Sequence, residues 1–186
     1  MNRLCQKIYS YRLNHLRWRF IGNASFAENT IIVSPENIII GQNFSAERDL
    51  KLQAWKSYNN QSYNPIIKIG DNVSLMDNCQ ISCCLSITIG NGCLIGSNVF
   101  ITDNYHGDNS FVDAQLPPLS RDLFIKGAVE VGNNAWIGRN VCIMPGVIIG
   151  DGAIIGANAV VTHNIPAYSI AAGVPAKVIK YLSDVK

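Results

Sequence analysis

From Val131 onward the chain divides into six-residue phrases, VGNNAW, IGRNVC, IMPGVI, IGDGAI, IGANAV and VTHNIP, each opened by an aliphatic residue that Gly usually follows. Every fifth position, Ala135, Val141, Val147, Ala153, Ala159 and Ile165, is small or aliphatic. A period of six matches neither the 3.6 of a helix nor the plain alternation of a two-faced strand. It suits short parallel strands separated by tight corners. Three such strands close a triangular coil of eighteen residues, in which the opening aliphatics stack in columns along the inside. Neighbouring coils then hydrogen-bond at about 4.8 Å per step. Gly at the second position permits backbone approaches that a Cβ would obstruct.

The same phrase recurs earlier as IIIGQN from Ile38, IKIGDN from Ile67, ITIGNG from Ile87, VEVGNN from Val129 and VIIGDG from Val147. Read backward, the register places Ile21, Ala27 and Val33; Ile40, Ala46 and Leu52; Ile69, Leu75 and Ile81; and Ile89, Ile95 and Ile101 inside, for roughly six coils. Two stretches break it: YNNQSYNPII, 58–67, and a longer one at 107–130 that carries a Pro pair and scattered charge and reads as an external loop. A loop of that length inside a compact repeat is a functional feature or a disordered one.

The expectation is therefore one all-β domain spanning 1–186, with a prism over 21–166, a helical segment over 1–20 and a cap over 167–186. Residues 3–20 carry Leu4, Ile8, Tyr11 and Trp18 at helical spacing, with five basic residues and no acid, which predicts an amphipathic helix. That helix either packs on the first coil or rests on anionic lipid as a peripheral contact. In GVPAKVIKYLSDVK, Pro175 stands where a short C-terminal helix could begin and cover the last strand edge.

With 48% hydrophobic residues, 15% charged residues and a net charge of +2, the chain has neither a disordered composition nor a nucleic-acid footprint. Its six cysteines form no C-x-x-C pair, and no signal-peptide pattern precedes them, so reduced thiols and a cytoplasmic location are expected. Cys79 and Cys93 fall on inward positions and read as core hydrophobes rather than nucleophiles.

The hexads, with WIGRNVCIMPGVIIGDGAIIGANAVVTHNIPAYSIAAGVPAKVIK from Trp136 to Lys180, resemble the hexapeptide-repeat acyltransferases, the group containing maltose, galactoside and xenobiotic O-acetyltransferases. Within that group the chain looks most like the acetyltransferases that decorate bacterial surface polysaccharides. The resemblance implies a left-handed parallel β-helix, a homotrimer with active sites between subunits, acetyl-CoA as donor, no metal, and a small-molecule or saccharide acceptor. The handedness comes from the family alone, because the usual rule for parallel crossovers favours the opposite hand.

Family members place a catalytic base at the break before the external loop, and His106 occupies that place. An imidazole suits removal of a hydroxyl proton near neutrality. Some relatives hold the base two residues earlier, where this chain has Asn104, so the xenobiotic-type arrangement is expected. Asp103 and Asp108 are candidates to orient the imidazole, or are simply turn formers.

Matching family positions for the donor are Arg139, Ala157, Thr162, His163, Lys177 and Lys180, beside a track formed by the stacked Gly138 and Gly156. The two lysines would meet phosphates as point charges. Trp136 points outward, toward the active-site cleft or a subunit interface. Trp55, Tyr58 and Tyr63 either stack on a sugar or pack against the next coil.

Three rival readings remain. N-transfer to an amino sugar keeps the mechanism and changes the acceptor. A γ-carbonic-anhydrase-like metalloenzyme would need about three converging histidines, and this chain offers only His15, His106 and His163. A non-enzymatic scaffold or ice-binding surface would show regular Thr ladders, which the outward positions lack.

Overall fold

The structure, a computed structural model, describes residues 23–182. It is a three-faced parallel β-prism. The first face stacks Ser25–Phe26, Ser45–Ala46, Ser74–Leu75, Leu94–Ile95, Trp136–Ile137, Ile154–Ile155 and Ser169–Ala172. The second stacks Ile31–Val33, Lys51–Ala54, Gln80–Cys83, Phe100–Thr102, Cys142–Ile143 and Val160–Val161. The third stacks Ile38–Ile40, Ile66–Ile69, Ser86–Ile89, Val129–Val131 and Ile148–Ile149, and Ile165 bridges to Ile149.

Registers such as Ile95↔Ile137↔Ile155 and Ile81↔Ile101↔Ile143↔Val161 bring the hexad openers into straight columns. These side chains are buried, as are all six fifth-position residues from Ala135 to Ile165. The prism interior is thus one continuous aliphatic core, matched along its length by inter-coil hydrogen bonds such as Phe100 N to Val141 O at 2.9 Å.

The corners explain the rest of the hexad. A Cβ added to Gly138 would stand 2.7 Å from the amide nitrogen of Ala157 in the next coil, so nothing larger fits without parting the coils. Asn98, Asn140 and Asn158 each occupy the left-handed region, with φ of 60°, 57° and 61°, a conformation that Asn tolerates better than most residues. Their side chains form a ladder, Asn98 donating to Asn140 and Asn140 to Asn158, both at 2.9 Å.

Four expectations change. In the first coil the inward residues are Phe26 and Ile32, which pair with Ala46 and Leu52, and Ala27 is exposed. The period holds but its phase slips by one, because Phe26 finds the ring of Phe44 at 5.3 Å and both phases offered apolar residues. The prism also runs past 166, since Ile155 pairs with Ala171.

The C-terminal helix is not formed: Lys177–Tyr181 is a strand antiparallel to Ser169–Ala172. The last parallel strand has a free edge whose backbone groups need partners, and a returning strand satisfies more of them than a helix laid across it. The external segment, expected at 107–130, begins with the strand Asn104–His106, and Val129 and Glu130 already belong to the third face. The helix expected over 1–20 lies outside the described residues. No helix among the described residues is long and apolar enough to cross a membrane.

Ile137 is fully buried in the middle of its column. Ile137→Ala is expected to lower stability by about 2–5 kcal/mol, read from the guanidinium unfolding midpoint at fixed protein concentration.

Candidate active site

Both register breaks leave the prism at the same corner, between the second and third faces. The shorter follows Ala54 and forms a hairpin of Ser57–Tyr58 and Gln61–Ser62. The longer follows Thr102, and its Asn104–His106 pairs antiparallel with Leu123–Ile125, so that His106 stands opposite Leu123. Between the ribbon's two strands the chain makes the short helix Phe111–Ala114, capped by Ser110 Oγ accepting from Asp113 N, and a 3₁₀ turn at Pro118–Ser120. One coil separates the two excursions, and because they share a corner they lean on each other.

Their contact surrounds the histidine. The rings of Tyr58 and His106 meet edge to face, with centroids 5.3 Å apart and planes at 68°. Tyr58 Oη donates to the Leu119 carbonyl at 2.9 Å, and Asn59 Nδ2 donates to the carbonyls of Leu119 and Arg121. Gln61 Nε2 donates to Asp122 Oδ2 at 3.2 Å, and Tyr63 Oη donates to the carbonyl of Leu123, the residue facing His106. His106 itself is exposed. Trp55 has its indole N–H on Ser82 Oγ at 3.1 Å, fixing the hairpin's root.

Asp103 does not touch the imidazole. It is fully buried, and its carboxylate accepts from the backbone N–H groups of Cys84, Leu85 and Ser86 at 2.8, 2.8 and 2.9 Å. Asn104 Nδ2 and the Cys83 thiol donate to it as well. It therefore locks the corner of the intervening coil at the point where the ribbon departs. Asn104 spends its amide on Asp103 and on the Ser82 carbonyl. Asp108 accepts from Ser110 N, and these bonds hold its carboxyl below the ordinary range. Its observed partners are loop groups that set the helix cap, as a turn former's would be.

Other candidate bases and nucleophiles are held out of play. Burial pushes the Cys79 thiol up to about 11; burial, reinforced by the Asp103 charge, pushes Cys84 up to about 12 and Cys83 higher still. Burial also raises the Tyr63 and Tyr105 phenols. These buried thiols and phenols are therefore held in their protonated forms near neutrality. Among the described residues, no three His, Cys, Asp or Glu side chains converge in a way that could hold a metal ion.

The expected donor residues divide between two corners. Gly138, Arg139, Gly156 and Ala157 stack at the corner between the first and second faces, and Gly138 is required there by coil spacing whether or not a ligand lies alongside. Thr162 and His163 lie at the corner shared with the excursions, with Thr162 Oγ1 2.8 Å from His163 Nδ1. Lys177 and Lys180 are exposed on the terminal strand, opposite Ala172 and Ile170. Trp136 projects from the first face, 53% exposed, in a row with Leu94, Ile154 and Ile170.

The meeting of the two excursions was the feature least visible in the sequence, yet a signal existed. Each break follows the third inward hexad of its coil, Leu52 in one and Ile101 in the other, which already assigns both to one corner.

Known proteins agree with this architecture. The family model described as bacterial transferase hexapeptide (six repeats) matches residues 128–163, and that of the hexapeptide repeat of succinyl-transferase matches 66–103. WbbJ of Escherichia coli (strain K12), named as a lipopolysaccharide biosynthesis O-acetyl transferase, is 40% identical over 148 residues, 77% of this chain and 71% of that protein. Galactoside O-acetyltransferase of the same strain is 38% identical over 128 residues, 66% of this chain and 58% of its own length. The crystal structure of AntD, an N-acyltransferase from Bacillus cereus in complex with dTDP and 3-hydroxybutyryl-CoA, matches the fold with a TM-score of 0.73 at 20% identity, covering 94% of this chain and 88% of that one.

The chain belongs to the hexapeptide-repeat acetyltransferases, and its prism is their left-handed parallel β-helix. Its class of activity is O-acetyl transfer with acetyl-CoA as donor.

Replacing Asp103 by Asn puts an N–H₂ where backbone N–H groups now find an acceptor. Asp103→Asn is expected to cost about 1–3 kcal/mol in urea unfolding, the penalty for a buried donor left without a partner. An unchanged midpoint would show that this corner does not depend on the carboxylate.

Proposed function

We propose that this protein moves an acetyl group from acetyl-CoA to a hydroxyl of a saccharide or surface-polysaccharide precursor, with His106 as general base. The observation that carries the reading is an exposed imidazole held where the two excursions from the prism meet, in a chain of this family. His106 takes the hydroxyl proton as the oxygen attacks the thioester carbonyl. The tetrahedral intermediate collapses with cleavage of the C–S bond, and the imidazolium returns the proton to the departing CoA sulfur. The products are an O-acetyl ester and free CoA.

The functional unit in this reading is a homotrimer in the cytoplasm. The outward row Leu94, Trp136, Ile154 and Ile170 supports it, since adjoining apolar side chains on one face of a monomer mark a surface that a partner covers. An intersubunit groove would also let the excursion corner of one prism face the Arg139 corner of the next, joining donor residues that one chain keeps apart. Lys177 and Lys180 would meet the CoA phosphates, and Trp55 and Tyr63 would flank the acceptor. Co-sedimentation of the full chain with anionic vesicles at low salt would reveal a peripheral membrane contact.

His106→Ala is expected to lower turnover of acetyl-CoA with its best saccharide acceptor by about a hundredfold or more, with sedimentation still giving three chains per particle. Undiminished turnover would remove the imidazole from the reaction. An acetylated product stable to mild alkali would identify an amide, and hence an amino-sugar acceptor, instead of an ester.

A further inference from the structure

We infer that Tyr58 is a positioning residue for the imidazole of His106, and that the hairpin around it braces the strand that carries the base. This rests on the reading of His106 as general base.

The ribbon bearing His106 is poorly equipped to hold itself. It pairs Asn104 with Ile125, Tyr105 with Phe124 and His106 with Leu123, and one further bond, Gly107 N to Asp122 O at 2.9 Å, closes it. A two-stranded ribbon of that size is marginal in water without packing from elsewhere. Asp103 secures one end, where the strand leaves the prism. His106 lies toward the other end, exposed, and among the described residues no hydrogen bond to its imidazole is seen. What meets the imidazole there is the ring of Tyr58, at a separation and tilt within the favoured range for aromatic pairs.

Tyr58 is itself tied at both ends. Its backbone pairs with Gln61 across the hairpin, and its hydroxyl donates to Leu119 O at 2.9 Å, in the segment leading to the ribbon's return strand. Tyr63 from the same hairpin reaches the Leu123 carbonyl, directly opposite the base. The hairpin thus touches both strands of the ribbon at the level of His106, while its root is fixed by Trp55 N on Cys83 O and by Trp55 Nε1 on Ser82 Oγ.

The consequence is kinetic and confined to the chemical step. A base that wanders by about 1 Å can lose up to about a hundredfold in rate, while docking of the donor elsewhere is untouched. Tyr58→Leu removes the ring. Tyr58→Phe keeps the ring contact and deletes only the hydroxyl bond to Leu119.

The test measures steady-state kinetics and the His106 ring C–H resonance, from protein labelled with ¹³C-histidine and assigned by its loss in His106→Ala. In Tyr58→Leu, kcat is expected to fall by about ten- to a hundredfold with KM for acetyl-CoA within about twofold. The ring-current displacement of the His106 signal should vanish in the same variant. Tyr58→Phe should keep that displacement and most of kcat.

A Tyr58→Leu protein that has lost the displacement but turns over at the parent rate overturns the inference. So does a parent protein with no displacement to lose, or a Tyr58→Phe variant as impaired in kcat as Tyr58→Leu. Failure of the underlying reading looks different: His106→Ala would then turn over normally even though the ring contact is present in the parent spectrum.

Discussion

The stacking of one coil on the next governs this molecule. Every level must place its inward side chains under those above and at the same time offer its backbone groups at hydrogen-bonding distance. These two demands meet only at one coil height and one phase, because a slip of a single residue turns inward side chains outward. The chain can therefore vary its length only where it turns. The corners are narrow as well: at Gly96 and Gly138 an added Cβ would lie 2.7 Å from the backbone nitrogen of the next level. Longer insertions leave the prism altogether, and in this protein they leave twice at one corner.

That geometry gathers two insertions into one cluster around His106. A single loop beside a flat face would present His106 on a short ribbon open to water. A second excursion one coil away supplies an aromatic ring and side-chain donors to hold it. Between them, Asp103 gathers the amide groups of Cys84, Leu85 and Ser86, which stabilises the intervening turn and fixes where the ribbon departs. The same carboxylate, together with burial, keeps the nearby thiols protonated. The corner's cysteines are thereby packing residues.

The residues expected to hold the donor stand apart within one chain. Arg139 and Ala157 occupy one edge of the prism while Thr162 and His163 occupy the next, and no turn of the backbone brings them closer. The family resemblance names them as one donor set without saying which edge each occupies; the edge depends on where in the coil a residue falls. Side-by-side packing of prisms, as proposed, would reconcile the two, and the apolar row through Trp136 is the surface suited to it.

How much could be read without coordinates follows from the same physics. The six-residue period, the inward columns from Ile40 to Val161 and the place of the two breaks were all legible, because each depends on side-chain type repeating at a spacing that the backbone imposes. The first coil was misread because Phe26 with Ile32 and Ala27 with Val33 both obey the period, and only the contact with Phe44 chooses between them. The terminal strand was misread because Pro175 signals a helix start locally, whereas the free edge at Ser169–Ala172 is a property of the finished prism. Asp103 looked like a partner for His106 three residues away, but its neighbours in space are amide groups from the previous coil. By itself, then, the sequence determined the repeat, the core and the residue types available for chemistry, all of which are encoded at short range. The tertiary structure alone decided which excursions meet, which carboxylate is spent on backbone and what stands beside the imidazole. Those contacts join residues some twenty to sixty positions apart, through coils whose exact lengths set who faces whom.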